Sequence, residues 1–459
     1  MGRNVLVIGS GLAGTLIANN LLRKHDVTVL EAGRSNGYEY PHVRYLKKAF
    51  GHVPTFCYGE GGTTNLWHNG LMPLRPEDVE DFRFKEILRE AAAFSDRAAD
   101  SLFFPTPHFS TEYQSLIEKM SRLNEQIGLF AEGIDCLLYP RSYRGLRIAP
   151  GARTHFGVTD IDFSARGRSV ERVHFTSGSA RHSVDTDTVV ISGGSLGTPV
   201  LVSRVLAALG HSNSTAGQGL MDHPMGFVGK VRVREDIARA FRELSSHDCG
   251  SYECCTAGRL KHQSHLAAIY VRPALTMDNS LALYKYKSIL GASRGTKRIR
   301  AAISARLFHP DVLAEIYSHL LHTAIRSNIF SILVFFEQKR GPGFVTSQAQ
   351  ELSVSWDIQP HELDIYNNML RRLHDLFAPV ADELTIETPI DESWLWSGAH
   401  HSGTISLGDG DDDIVNSDLR IRRSDNVYVC DGSIIQEHSY ANTGLTIGQL
   451  AYRLTAMIE

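Results

Sequence analysis

Two adjacent histidines, His400 and His401, stand in the stretch SGAHHSGTISLG near the end of this 459-residue chain. A neutral imidazole accepts a proton at cellular pH, so either residue has the chemistry of a general base. Serine, glycine and threonine follow them, and such small residues leave room for a ligand instead of filling a core. Three alternatives are open at this point: a pair of metal ligands, a base with an inactive neighbour, or an ordinary loop.

A metal site is not expected at the histidine pair. Adjacent residues of an extended chain point to opposite sides, and no carboxylate or cysteine stands at ligand spacing. The aspartates between residues 409 and 413 lack the pattern of a calcium loop and indicate a solvated turn. We therefore predict no metal ligand in the chain.

Asn442 is the second residue whose type and place suggest chemistry. It precedes a helical pattern whose apolar positions are Leu445, Leu450 and Leu454. An asparagine there can cap the helix, and its amide could at the same time donate a hydrogen bond to a ligand.

The elements that must position these side chains begin at the N-terminus. The segment NVLVIGSGLAGTLIANNLLRKHDVTVLEAG is typical of a buried strand, a tight turn, a helix and a second strand. Its glycines have the G-x-G-x-x-G spacing that brings a pyrophosphate to a helix N-terminus, and an acidic residue closes the second strand, where it can hold a ribose. The pattern predicts a dinucleotide site for FAD or NAD. Its expected members are Gly9, Gly11, Leu12, Ala13, Gly14 and Glu31.

Four later segments distinguish between the two cofactors. They are YGEGGTTNLWHNGLMPLRPED (58–78), VDTDTVVISGGSLGTPVLVSRV (184–205), GQGLMDHP (217–224) and DNVYVCDGSIIQEHSYANTGLTIGQLAYRLT (425–455). The second of them is typical of a strand, a glycine-rich turn and a helix that begins near Thr198-Pro199. In order and spacing, the chain resembles the glucose-methanol-choline (GMC) oxidoreductases, a family of FAD-dependent alcohol oxidases and dehydrogenases. The resemblance implies FAD, with contacts from the G-G-T-T loop, from Val158 near the adenine, from the second glycine-rich turn and from the strand end before the last helix. The residues implied are Gly61, Gly62, Thr63, Asn65, Val158, Gly193, Asp431, Gly432 and Thr443.

The same resemblance distinguishes the two histidines. The family's catalytic histidine opens an H-x-x-G-T pattern, which is His400 here, and its partner opens N-x-x-x-T, which is Asn442. His400 is then expected to take the alcohol proton while a hydride passes to flavin N5, with Asn442 orienting the substrate and stabilising its oxygen. His401 is expected to give support, and the Asp222-His223 element to be structural.

One position departs from the family pattern. Several members tether the flavin through a histidine at the position that Leu66 occupies here. We therefore expect non-covalent FAD, with His68 as the open alternative for a contact.

The implied fold is α/β and has two domains. A Rossmann-like FAD-binding domain of the glutathione-reductase type is expected from residues 1–224 and 396–459. An inserted α+β substrate-binding domain, built on an antiparallel sheet, is expected from residues 225–395. Within it, residues 331–358 are typical of a hairpin, and residues 360–384 of an amphipathic helix.

Composition narrows the functional classes. The formal net charge of −4 gives no basic field for nucleic acid, and the six cysteines show no C-x-x-C pair. This cysteine usage favours a reduced, cytoplasmic setting, and no signal peptide or spanning segment is expected. The basic stretch at 285–300 is either a solvated face or a receiver of anionic substrate, and the helix at 309–324 is a lid, a dimer contact or a membrane-surface helix.

The expected activity is oxidation of a small-molecule alcohol, with a carbohydrate or polyol hydroxyl favoured. Oxygen or another electron acceptor, and a monomer or a homo-oligomer, remain open. A non-redox flavoprotein lyase and a binding protein without chemistry are the alternatives.

Overall fold

The computed structural model describes residues 2–48, 55–212, 215–292, 305–321, 325–348 and 351–459. Its strands are β1 (Asn4–Ile8), β2 (Asp26–Leu30), β3 (Val43–Lys48), β4 (Ile134–Pro140), β5 (Arg153–His155), β6 (Val158–Arg166), β7 (Ser169–Ser177), β8 (Ala180–Asp185), β9 (Thr188–Ile191), β10 (Pro224–Val233), β11 (His247–Asp248), β12 (Tyr252–His262), β13 (His265–Ala274), β14 (Ile329–Phe336), β15 (Phe344–Gln348), β16 (Glu351–Trp356), β17 (Ala381–Ile386), β18 (Trp396–Ser397) and β19 (Val427–Val429). Its α-helices are α1 (Leu12–Leu21), α2 (Phe82–Ala91), α3 (Ser95–Ser101), α4 (Phe109–Ile127), α5 (Gly194–Ala208), α6 (Ala238–Ser245), α7 (Leu281–Ala292), α8 (Pro310–Leu321), α9 (Pro360–Phe377) and α10 (Thr443–Ile458).

A five-stranded parallel sheet forms the nucleotide-binding half, in the order β19-β9-β1-β2-β5. Its central strands are continuous apolar runs because both faces are covered, as in other parallel sheets. Helix α1 leaves β1 and packs against α10, so the N-terminal turn and the last helix lie side by side. The antiparallel strands β6, β7 and β8 form a small separate sheet.

An eight-stranded antiparallel sheet forms the second half. Its main path runs β11-β12-β13-β14-β10-β17, with β4 added on β12 and β18 on β10. The mixed α/β fold with a parallel and an antiparallel sheet confirms the predicted fold class. The division at residues 224 and 396 stays a prediction, and β4 lies in this sheet although its residues fall outside 225–395.

Two local predictions were wrong. Residues 331–358 do not form one hairpin, because β14 lies in the large sheet while β15 and β16 pair with each other and β16 pairs in parallel with β3. The second glycine-rich helix was expected near Thr198-Pro199 but begins at Gly194. Pro199 is tolerated inside it because the carbonyl of Ser195, which loses its helical donor, accepts from Thr404 Oγ1 at 2.8 Å.

The two predicted amphipathic helices are present, but the one expected over residues 360–384 ends at Phe377, because residues 381–384 belong to β17. Helix α9 begins at Pro360 with a capping box between Gln359 and Glu362, and α8 covers residues 310–321. Of the basic stretch, Lys285 and Lys287 lie on α7, and residues 293–300 lie outside the described residues. Among the helices in the described ranges, none combines the length and apolarity needed to cross a bilayer.

Candidate active site

A cavity of about 780 Å³ passes from the N-terminal turn to the histidine pair. Its size falls within the range typical of ligand and cofactor sites. Fourteen of the seventeen predicted site residues line it: Gly9, Gly11, Leu12, Ala13, Glu31, Gly62, Thr63, Val158, Gly193, His400, Asp431, Gly432, Asn442 and Thr443. Gly14, Gly61 and Asn65 do not line it, and their roles are structural.

The three glycines of the first turn have different structural roles. A Cβ on Gly9, whose φ is +105°, would lie 2.2 Å from the carbonyl oxygen of Ser192. A Cβ on Gly14 would lie 2.0 Å from the carbonyl oxygen of Gly9, so Gly14 lets α1 pack on β1. Gly11, in contrast, has no heavy atom within 4 Å of a Cβ position and opens onto the cavity. The space beside Gly11 meets the first turn of α1, whose free N–H groups favour an anion.

Glu31 lies at the end of β2, and both of its carboxylate oxygens accept hydrogen bonds from protein groups. Oε2 accepts from the N–H of Ser10 at 2.8 Å and from its hydroxyl at 2.6 Å. Oε1 accepts from the N–H groups of Gly33 at 2.8 Å and Gly59 at 2.9 Å. Since a carboxylate offers about four lone-pair sites, Glu31 holds the loops around the cavity, and a ribose contact would replace one of these bonds.

The loop after Gly59 is built by its own polar groups. The Gly61 N–H donates to the carbonyl of Ser10, which ties the loop to the first turn. Asn65 Nδ2 donates to the carbonyls of Glu60 at 3.0 Å and Gly62 at 2.8 Å, so its amide closes the turn and does not point into the cavity. Gly62, Thr63 and Thr64 of this turn line the cavity and are open to a ligand.

Asp431 joins β19 to the start of α5. Its Oδ2 accepts from the Gly194 N–H at 2.8 Å and from Thr198 Oγ1 at 2.5 Å, and its Oδ1 accepts from the Ser433 N–H at 2.8 Å. Burial raises the pKa of Asp431, and the bonds from Ser433 and Thr198 oppose that shift. Gly193 and Gly432 are thereby held at one wall of the cavity.

Val158 and Thr443 are the two remaining residues of the predicted cofactor site. The Val158 N–H donates to the carbonyl of Glu31 at 3.0 Å, so only its side chain and carbonyl are left for a ligand. Thr443 is the first residue of α10, whose first-turn N–H groups have no acceptor within the helix.

His400 is fixed by a turn that the chain does not adopt easily. Ala399, the residue before it, has a φ of +59°, a conformation that non-glycine residues avoid. The His400 N–H donates to Asp222 Oδ1 at 2.8 Å, and Asp222 Oδ2 accepts from the Ser397 hydroxyl. The strained turn is therefore held by a buried carboxylate, as is common where side chains are aimed at a ligand.

The tautomer of His400 follows from its neighbours. His223 Nε2 lies 2.9 Å from the carbonyl oxygen of Ser439, and since a carbonyl only accepts, Nε2 carries the proton. Nδ1 of neutral His223 is then an acceptor, and it lies 2.8 Å from His400 Nδ1. His400 must donate from Nδ1, which leaves the lone pair on its Nε2. His400 lines the cavity, so that lone pair is available to a ligand there.

Burial keeps these imidazoles neutral. It lowers the pKa of His400 to about 4, an effect opposed by Asp222. Burial also lowers the pKa of His223 well below its usual value, with His438 and His400 adding to the shift. His438, whose ring centroid lies 3.9 Å from that of His223, has a pKa lowered by burial to about 3. An unprotonated His400 is thus the form present at neutral pH.

His401 also lines the cavity, but its ring nitrogens have different partners from those of His400. Its Nδ1 lies 3.1 Å from Asp222 Oδ2, and its Nε2 lies 2.8 Å from Thr55 Oγ1. Burial alone would raise the pKa of Asp222, but His401 and the Ser397 hydroxyl outweigh burial and lower it. Both ring nitrogens of His401 are therefore engaged, whereas His400 keeps one free.

Asn442 occupies the N-cap position of α10, yet its side chain makes no capping hydrogen bond. It is 9% exposed and lines the cavity. The loop before it is anchored by Tyr440, whose hydroxyl donates to Asp135 Oδ2 at 2.5 Å and accepts from Arg259 at 2.6 Å. This buried network fixes where α10 begins and leaves the Asn442 amide for a ligand.

Sequence reasoning missed the roles of three residues. Asp222 and His223 were expected to be structural, but they fix the backbone and the tautomer of His400. The D-H-P element was the available signal, although nothing in its spacing indicates a contact across 177 residues. His438 stacks on His223 and had no sequence signal.

Comparisons with known proteins agree with this architecture. Residues 346–451 match a family model described as GMC oxidoreductase. Among solved structures, a pyridoxine 4-oxidase from Mesorbium loti has a TM-score of 0.63 and 14% identity, and the match covers 99% of each chain. An FAD-dependent oxidoreductase from Chaetomium thermophilum, solved in complex with a fragment, has the same TM-score and identity over 100% of this chain and 99% of its own. No curated protein matches the chain.

The two kinds of likeness are complementary. The structural matches show a shared fold along the whole chain, and the family match covers the segment that carries both His400 and Asn442. The C-terminal part of this chain is therefore similar to the GMC oxidoreductases.

Proposed function

We propose that this protein is an FAD-dependent enzyme that oxidises the hydroxyl-bearing carbon of an alcohol to an aldehyde or ketone. The observation that carries the proposal is the free Nε2 lone pair of His400 in the same cavity as the glycine turn and the Asn442 amide. A base, a hydrogen-bond donor and a dinucleotide cradle are the groups that this reaction needs.

FAD fits the groups that the cavity offers. Gly11 leaves space against the start of α1, where backbone N–H groups receive a pyrophosphate, and Thr63, Gly193 and Thr443 lie along the same cavity. When bound, the flavin supplies the acceptor for the hydride from the carbinol carbon. We propose that it is held without a covalent bond, since leucine occupies position 66, where some family members carry a tethering histidine. His68 also lines the cavity, so release of flavin on acid precipitation tests this point.

The chain's own residues handle the proton and the oxygen. His400 Nε2 takes the hydroxyl proton, and the charge that forms on the imidazole is stabilised by Asp222, the only carboxylate with hydrogen bonds to this turn among the described residues. The Asn442 amide donates to the alcohol oxygen, and the N-terminus of α10 adds positive potential there. A carbohydrate or polyol is the substrate class that we favour, and the acceptor is oxygen or another oxidant.

His223 is a positioning residue in this scheme, and a matched pair of variants tests it. His223→Asn keeps an oxygen that accepts from His400 Nδ1, whereas His223→Leu has the same shape without an acceptor, and both lose the bond to Ser439. We expect His223→Leu to slow flavin reduction about 10- to 100-fold more than His223→Asn, with KM little changed. Stopped-flow reduction measures the difference. Equal rates in the two variants would show that the Nδ1 contact does not set the tautomer.

Anaerobic bleaching of the flavin tests the activity itself. The purified protein is expected to be yellow, and an alcohol from a panel of sugars, polyols, sugar acids, sugar phosphates, nucleosides, pyridoxine and simple alcohols should bleach it. The pyridoxine oxidase with the same fold makes pyridoxine a required member of the panel. Bound FAD that no alcohol bleaches would favour the lyase alternative, and a colourless protein would favour a binding protein.

A further inference from the structure

Arg272, on β13, is a half-buried cation that has no ion pair among the described residues. Its two hydrogen bonds are long: one joins NH1 to Cys255 Sγ at 3.4 Å, and the other joins NH2 to Tyr139 Oη at 3.4 Å. Burial raises the pKa of Cys255 and that of Tyr139 to about 12, so both partners are neutral at pH 7. A guanidinium is always charged and has five donors, so these two contacts leave most of its capacity unused.

Glu253, a carboxylate on the neighbouring strand, does not form an ion pair with Arg272. Glu253 lies two residues before Cys255 on β12, and its Oε1 accepts from the Ser246 hydroxyl at 2.5 Å. No carboxylate oxygen of the described residues lies within 4.0 Å of Arg272, whereas Arg259 on the neighbouring strand pairs with both Asp78 and Asp135. Buried arginines are normally paired, so the contrast calls for a counter-ion from elsewhere.

Arg272 lies on the sheet face that covers the reactive end of the cavity. Residues two apart in a strand share a face, so Arg272 points the same way as Tyr270. The Tyr270 ring packs on Phe335 with a centroid distance of 5.4 Å, and Phe335 lines the cavity. Arg272, whose guanidinium carbon lies 5.9 Å from the Tyr270 ring centroid, is therefore on the same face of the sheet as Phe335, next to the residues that line the cavity but not itself among them.

Tyr139 connects Arg272 to the catalytic pair. Tyr139 lines the cavity, and a Cβ placed on Gly70 would lie 3.0 Å from Asn442 Nδ2 and 3.1 Å from Tyr139 Cε1. One edge of the tyrosine ring is thus beside the Asn442 amide, while its hydroxyl is beside the Arg272 guanidinium. An alcohol held at Asn442 would extend along Tyr139 toward Arg272.

We propose that Arg272 receives an anionic group of the substrate, so that the substrate class is an alcohol that also carries a carboxylate or a phosphate. Sugar acids and phosphorylated sugars or polyols belong to this class. The guanidinium fork matches both groups in two-point contact, which distinguishes them from neutral sugars. The inference rests on the proposed alcohol oxidation, and it makes the predicted carbohydrate class more specific.

Matched substrates and two arginine variants test the proposal. Glucose, gluconate and glucose 6-phosphate are compared as reductants of the bound flavin, with Arg272→Gln set against the wild type. We expect the wild type to prefer one of the two anionic compounds. Arg272→Gln should raise the KM for that compound about 10- to 100-fold and leave the KM for glucose unchanged. Which anionic member loses affinity distinguishes carboxylate from phosphate. The control is Arg232→Gln, which removes a surface arginine that pairs with Glu383 and should change nothing.

A binding measurement keeps the test independent of turnover. Isothermal titration of inorganic phosphate and of acetate into the FAD-loaded protein should give binding by at least one, and Arg272→Gln should abolish it. Arg272→Lys replaces Arg272→Gln if the latter does not fold, and is expected to lower affinity about tenfold. Binding that is lost in the variant supports the anion site even if no alcohol is oxidised. Equal binding in both proteins, or equal losses for glucose and its anionic derivatives, would overturn it.

Discussion

His400→Ala is expected to keep the bound flavin and to slow its reduction by an alcohol about 10²- to 10⁴-fold, the range that a general base contributes. The side chain lies at the end of the cavity, and its removal leaves the glycine turn and α10 untouched. The fixed tautomer gives the reason for the size of the effect, because Nε2 of His400 is the ring nitrogen whose lone pair is not used by the protein. Anaerobic stopped-flow reduction measures the loss, and the absorbance of the flavin confirms that the cofactor is retained.

The control for this variant is the adjacent histidine. His401→Ala removes contacts with Asp222 and Thr55, so it should lower stability and affect reduction less than about tenfold. The pH profile adds a second readout in the wild-type protein. Since burial lowers the pKa of His400 to about 4, the base is free above that pH, and the reduction rate should be flat at neutral pH and fall as pH drops through 4. Equal losses in both variants would remove His400 from its assigned role.

The parts of the site that could be predicted from sequence are those set by short stretches of chain. At Gly9 and Gly14 a Cβ would lie only 2.0 to 2.2 Å from a backbone oxygen, and Gly11 borders open space beside α1. Such constraints leave a fixed spacing in the sequence. On the family's H-x-x-G-T pattern, counting back from Gly403-Thr404 likewise selects His400 over His401 as the proposed base. Local geometry repeats wherever the same motif occurs, so a pattern is enough to find it.

The parts that could not be predicted depend on contacts between distant segments. His223 reaches His400 across 177 residues, and the parallel pairing of β3 with β16 joins two segments that have no common pattern. The start of α5 was misplaced for a related reason: the carbonyl left without a donor by Pro199 is satisfied by Thr404, from the far end of the chain. A residue that only positions another residue leaves no characteristic spacing in the sequence. The contacts that orient the His400 ring could therefore be found only in the structure.

Asn65 and Glu31 show a further limit of pattern matching. Asn65 belongs to the G-G-T-T loop motif, yet its amide is used to close that loop. Glu31 stands where a ribose partner belongs, but four protein donors already occupy its carboxylate. A sequence motif contains residues that contact the ligand and residues that hold the loops of the binding site together. Only the hydrogen bonds in the structure distinguish the two kinds of residue.

Gly11→Val and Gly14→Val should fail in different ways, and that difference tests the cofactor site without any substrate. Gly11 has a φ of −67°, which any residue can adopt, and no protein atom lies within 4 Å of its Cβ position. The Gly11→Val apoprotein should therefore fold with an unchanged Tm. The same side chain would fill the space where a pyrophosphate approaches α1. Overpacking of about 1–3 kcal/mol corresponds to a loss of FAD affinity of about 5- to 150-fold. At Gly14 a Cβ would meet the Gly9 carbonyl oxygen at 2.0 Å, so Gly14→Val should lower the Tm of the apoprotein itself. Titration of FAD by fluorescence, with thermal unfolding of each apoprotein, separates the two outcomes, and a Gly11→Val protein that binds FAD as tightly as the wild type would mean that the phosphates lie elsewhere.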